Sequence, residues 1–166
     1  MGADERSCEV SDAKKTLQMV KATFPGLNHS EVKLTSPITS RYNCIAWAAG
    51  FSDRWFWPSP NYYWPEGIPV VPTEAAFEAA YKTLGFEKAE KMEDDTQSAD
   101  WIAVFVQGNF VTHASRLLPN GFWTSKLGRG VDIEHSLSGL EGSEYGKVAF
   151  YMKRLKTVVA DSVGHS

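Results

Sequence analysis

The chain has 166 residues, 43% of them hydrophobic and 22% charged, with 17 Lys plus Arg against 20 Asp plus Glu. That length suits one compact domain, and the apolar content excludes a disordered chain. A formal net charge of -3 argues against a nucleic-acid binder, which carries a basic face for the phosphates.

Residues 1–10 hold no apolar run, so they read as a flexible leader and not as a signal peptide. No stretch reaches the ~18 consecutive apolar residues of a membrane span. Cys8 and Cys44 are too few for a disulfide framework, so a reducing cytoplasm is the expected setting. Ser11 reads as an N-cap, with Ala13, Leu17, Val20 and Phe24 at helical spacing until Pro25-Gly26. Val32 and Leu34 alternate with polar neighbours and predict a short strand. Asn43-Cys44-Ile45-Ala46-Trp47-Ala48-Ala49-Gly50 then reads as a short buried helix, with a capping Asn before it and a Gly after it.

Of nine Phe, six Trp and six Tyr, eight lie between Trp47 and Trp64. Residues 53–72 also hold five of the eight prolines, keep no period, and read as a long irregular loop of the kind that carries function. Thr73 caps the next helix, with Ala76, Phe77, Ala80 and Leu84 on one face and Gly85 as its stop. Residues 86–89 follow as an edge strand and 90–100 as an acidic, solvated turn. The apolar run 101–106 predicts a central strand buried on both faces. Strands at 111–118 and 122–127 flank Asn120-Gly121, a hairpin signal; with those two as the loop, Arg116 faces Ser125 and His113 faces Gly128. A final strand at 147–152 precedes a polar tail. The expected organisation is a leader (1–10), one α+β domain (11–156) with N-terminal helices on an antiparallel sheet, and a tail (157–166).

Cys44 opens its helix, where the first turn favours a thiolate. A nucleophilic Cys needs a base on a separate element; His29 lies by a turn and His165 in the tail, which leaves His113 and His135. His113 opens a hairpin strand beside the small residues Ala114 and Ser115. The orienting acceptor for its far nitrogen is sought in Val131-Asp132-Ile133-Glu134-His135, with Asp132 favoured over Glu134. Backbone N–H groups at the Cys44 helix start are the expected oxyanion donors. Each residue also has a plain structural role open to it: Cys44 as packing, His113 as a hydrogen-bonded core histidine. A competing constellation is a metal site of His113, Asp132 and His135 with Cys44 as fourth ligand. Trp47, Trp57, Tyr63, Trp64 and Trp123 are the candidate substrate-binding aromatics, for a groove beside Cys44 or as extra core.

The pattern Asn43-Cys44-Ile45-Ala46-Trp47-Ala48, Trp57-Pro58, Tyr63-Trp64-Pro65, Thr112-His113-Ala114-Ser115-Arg116, Gly121 to Gly128, Asp132-Ile133-Glu134-His135 and Tyr145-Gly146 resembles an uncharacterised bacterial family, a domain of unknown function. At a coarser level, Cys on a helix start followed by His on a strand looks like the papain-like hydrolases of the NlpC/P60 and CHAP kind. That resemblance implies a papain-like fold, Cys44 as nucleophile and His113 as base. It implies a polar third residue on the next strand, a place Asp132 fills less well than Ser125. It implies no cofactor. The expected function is a cysteine-dependent hydrolase or acyltransferase acting on a peptide, amide or isopeptide bond. Those enzymes usually act on cell-wall peptides and are exported, whereas this chain shows no export signal, so an intracellular target is expected. The alternative is a catalytically inactive binding module on the same fold. Neither a nucleic acid nor a membrane is an expected partner, and the oligomeric state is not set by the sequence.

Overall fold

A computed structural model of the protein describes residues 2–93 and 97–156, with side chains from Asp12 onward. The expected polar tail at 157–166 and the centre of the acidic turn lie outside the described residues. In chain order the elements are α1 (Gly2–Thr23), β1 (Lys33–Leu34), α2 (Cys44–Ala48), α3 (Glu74–Lys82), β2 (Glu87–Ala89), β3 (Ala99–Gln107), β4 (Phe110–Leu117), β5 (Trp123–Lys126), β6 (Asp132–His135) and β7 (Lys147–Leu155). Short 3-10 turns cover Pro25–His29 and Leu137–Leu140. Helix α1 runs through Ser11 and includes residues 2–10, where a loose leader is expected. Nothing between Gly2 and Thr23 breaks a helix: no Pro or further Gly interrupts the run.

The seven strands form one antiparallel sheet in the order β1-β6-β5-β4-β3-β7-β2. Strand β3 is paired on both sides, which accounts for its nearly unbroken apolar run. Because successive side chains alternate, β3 feeds two cores. Ile102 and Val104 pack with α2, α3 and Phe56 on one face. Trp101, Ala103 and Phe105 pack on the other face with Val20 of α1 and with Phe24, Leu27 and Leu140. The α+β class is as expected, with helices on both faces of the sheet. Among the described residues no helix is long and apolar enough to cross a membrane.

The hairpin differs from the expected register by one residue. Arg116 pairs with Thr124 and Leu117 with Trp123, so the loop takes in Pro119 as well as Asn120 and Gly121. Gly121 N–H donates to Leu118 O at 3.0 Å, and Gly121 adopts φ 89°. That is a three-residue hairpin loop closed by a left-handed glycine. A one-residue shift turns every side chain of a strand over. Ser125 thereby joins the face that carries His113 and Ser115. Strand β6, at a place where the sequence predicts no element, continues the sheet beyond β5.

Two local devices hold the site's surroundings. Asn43 caps α2 in extended backbone, its Oδ1 accepting from Ala46 N–H at 3.1 Å and from Phe56 N–H at 3.0 Å, while its Nδ2 donates to Phe56 O at 2.9 Å. Gly146 has φ 77° and lies so close to Val106 that an added Cβ would fall 2.1 Å from the Val106 carbonyl oxygen. Gly146→Ala is expected to lower stability by about 3 kcal/mol through strain and backbone displacement. Asn43→Ala, which orphans two buried donors and a carbonyl, is expected to cost about 2–3 kcal/mol. Urea unfolding monitored by tryptophan fluorescence checks both, since a midpoint unchanged from the parent contradicts either account.

Candidate functional site

Helix α2 presents Cys44 as its first residue, directly after the Asn43 cap. Burial pushes the thiol up to about 11, against hydrogen bonding from the backbone of Ala114, Ile45 and Cys44 itself and against the positive charge of Lys126. The thiol is therefore protonated at neutral pH. Its contact with the Ala114 backbone sets the sulfur against β4, one residue along the chain from His113. Strands β4 and β5 pair only at Arg116–Thr124 and Leu117–Trp123. The ladder runs no further towards His113, and Cys44 at the start of α2 meets β4 at Ala114.

His113 is fully buried and belongs to the sheet face opposite α2, with Phe105 edge-on to its ring at 5.3 Å. Tyr145 lies flat on the imidazole, with ring centroids 4.0 Å apart and planes 5° from parallel. Tyr145 is itself held by Thr112, whose hydroxyl donates to the Tyr145 carbonyl at 2.5 Å. His113 Nε2 is 3.0 Å from Ser125 Oγ, and its Nδ1 is buried without a hydrogen-bond partner. Burial, with the neighbouring His135 adding to it, holds this imidazole well below the usual histidine range, so it is neutral. Among the described residues no hydrogen bond joins the Cys44 thiol to His113.

Asp132 does not occupy the expected orienting position. Its Oδ2 accepts from the Tyr42 hydroxyl at 2.5 Å, and its N–H donates to Ser36 Oγ at 2.9 Å. It pairs with Lys126 across the β5–β6 ladder, on the α2 face and away from His113. The physical reason is the alternation of β6: Asp132 and Glu134 point to one side, His135 to the other. Glu134 is likewise engaged elsewhere, with Asn120 at 2.8 Å and Lys33 at 3.8 Å. Ser125 takes the expected place beside the imidazole. Of the proposed metal constellation, His113 and His135 share one face and both bond Ser125 Oγ, but the same alternation puts Asp132 on the α2 side with Cys44, and among the described residues no group of three or more His, Cys, Asp or Glu is placed to hold a metal ion.

The thiol opens into a cleft of about 300 Å³ lined by Asn43, Cys44, Trp55, Trp57, Tyr62, Thr112, Gly128 and Tyr145, with no charged side chain among them. Of the five candidate substrate-binding aromatics, only Trp57 lines it. Trp47 stacks on Tyr42 at 5.2 Å and donates to Thr124 Oγ1 at 3.0 Å. Tyr63 and Trp64 stand edge-on to Phe56 at 5.0 and 5.6 Å, as part of the scaffold beneath the loop. Trp123 is buried in the core on the opposite face. Trp55 and Tyr62 of the same proline-rich loop also line the cleft, stacked on each other at 5.3 Å, with Arg129 over Trp55 at 4.6 Å. Gly128 and Tyr145 also border a second, mainly apolar groove of about 360 Å³ against α1.

No curated protein and no solved structure matches the chain. One family model does, over residues 33–153, a span that includes α2, the aromatic loop and every strand up to most of β7. The chain belongs to the family described as a domain of unknown function (DUF7689).

Proposed function

We propose that the protein is a cysteine-dependent hydrolase or acyltransferase built on a papain-like arrangement, acting on a peptide, amide or isopeptide bond. The carrying observation is the meeting of three features at one opening of the sheet. A helix-start thiol lies against β4, the adjacent β4 residue is a neutral imidazole with a bare nitrogen, and a cleft gives the thiol access to solvent. Cys44 attacks the carbonyl while His113 takes its proton and returns it to the leaving group. A neutral thiol–imidazole pair suits this, because the proton moves only when substrate is present. Tyr145, stacked on His113, keeps water from the ring. The wholly uncharged cleft wall favours an apolar or aromatic group on the acyl side, since a charge there loses its hydration without gaining a partner. The proposed setting is a reducing cytoplasm, in which Cys44 stays the free thiol it is here.

One observation favours the second reading, a binding module without chemistry: the thiol is desolvated and makes no hydrogen bond to the imidazole. Alkylation separates the two. In a Cys8→Ser background, an unassisted Cys44 reacts with iodoacetamide at a rate that climbs about tenfold per pH unit towards pH 11, because the thiolate fraction does. With His113 as base the rate reaches a plateau below pH 8, and His113→Ala lowers it at pH 7 by about tenfold or more. A profile identical in parent and His113→Ala rejects the catalytic reading. On the same reasoning, p-nitrophenyl phenylacetate is expected to acylate Cys44 about tenfold faster than the succinate half-ester. Intact mass should show the adduct in the parent and not in Cys44→Ala.

A further inference from the structure

A closed set of hydrogen bonds lies behind His113, and its proton count has a single solution. His135 Nδ1 is 2.7 Å from the backbone carbonyl oxygen of Ser136. A carbonyl only accepts, so Nδ1 carries a proton. His135 is fully buried, and burial holds it down to about 4, so the ring is neutral and its Nε2 is an acceptor. Ser125 Oγ lies 2.7 Å from that Nε2 and must spend its only proton there. The same oxygen is 3.0 Å from His113 Nε2 and 2.6 Å from Ser115 Oγ. With its proton committed, Ser125 accepts both of these bonds on its two lone pairs. Ser115 is then the donor, and His113 carries its proton on Nε2. No proton remains for His113 Nδ1, the buried atom that has no partner.

We propose that His135 is a positioning residue which, acting through the Ser125 hydroxyl, holds His113 in its Nε2-protonated tautomer and leaves the Nδ1 lone pair bare. The anchor of the chain is fixed from outside the cleft. Ser136 O also accepts from Gly139 N–H at 3.2 Å, so the 3-10 turn after β6 holds the carbonyl that sets the first tautomer. Turning the His113 ring over would put a carbon against Ser125 Oγ and lose that bond, and the flat contact with Tyr145 holds the ring plane. The consequence for catalysis rests on the reading of His113 as base: only this tautomer has a nitrogen free to take the thiol proton. The serine and the second histidine together do what one carboxylate or amide does in a simpler triad.

The test is long-range proton–nitrogen NMR on protein with 15N-labelled histidine, with His113→Gln and His135→Gln spectra to assign the rings. At pH 7 the parent should show His113 protonated only on Nε2 and His135 only on Nδ1; the opposite tautomer at either ring overturns the proposal. In His135→Phe, which cannot accept, the Ser125 proton is released and the single-tautomer pattern of His113 should be lost. In His135→Gln, whose amide oxygen can accept, it should be kept. An unchanged His113 pattern in a folded His135→Phe protein also overturns it. Should that variant fail to fold, the parent tautomers alone still decide. The readout does not depend on Cys44 attacking anything, so slow alkylation of Cys44 beside the expected tautomers rejects the hydrolase reading and leaves this one standing.

Discussion

The side-chain amide of Asn43 is the constraint from which the rest of the site follows. A helix as short as α2 has too few internal hydrogen bonds to fix its own start. Asn43 supplies one for the helix and two for Phe56, so a single buried group joins the first turn of α2 to the returning aromatic loop. Phe56 then becomes the floor on which Tyr63, Trp64 and Tyr81 pack, and the Tyr81 hydroxyl returns to α2 by donating to Ile45 O at 3.1 Å. The placement of Cys44 is thus a consequence of polar satisfaction in an aromatic core. The helix is held in place although its own propensity could not hold it.

That arrangement also resolves the cluster of aromatics between Trp47 and Trp64. It is both core and cleft, divided by which way each ring faces. Residues that meet Phe56 or Phe77 form the scaffold, and Trp55, Trp57 and Tyr62 are left to line the opening. Trp57 does both, standing edge-on to Phe77 at 5.4 Å while facing the cleft. Composition and proline content located the loop but not the direction of its rings. Direction depends on Asn43 pinning Phe56 across 13 residues of sequence, a contact that no local pattern announces.

The elements themselves were legible where the pattern was long or the punctuation strong. The Asn43 and Thr73 caps, the central strand β3 and the edge strand β2 follow from residue types at the expected places. Ser125 as the neighbour of His113 was offered only by the resemblance, whereas hairpin spacing pointed to Asp132, and the reason is specific. Asn120-Gly121 marks a turn, but Pro119 joins the loop, and one extra residue reverses the facing of β5. With a two-residue loop, Ser125 points away from His113; with three, it points at the imidazole. The acidic residue that looked like a natural orienter is drawn instead to the α2 face. There Asp132 meets Tyr42, and burial pushes the phenol up to about 12, with the Asp132 carboxylate adding to it.

The two faces of the sheet near the opening are electrostatically distinct, and the difference bears on the chemistry. On the α2 side lie Arg116, whose guanidinium sits over Trp47 at 4.7 Å, the buried Lys126 over Tyr42 at 5.3 Å, and Asp132. Lys126 also donates to the Gly130 carbonyl, which ties the charge to the turn between β5 and β6. On the other side the partners of the His113 ring are neutral groups: His135, two serines and the Tyr145 ring. A carboxylate beside His113 would favour the imidazolium in a fully buried site. The serine relay orients the ring with dipoles alone and leaves it neutral. The positive charge that would steady a thiolate comes from the opposite face, from Lys126. On the proposed reading, orientation of the base and stabilisation of the anion fall to different faces of one sheet.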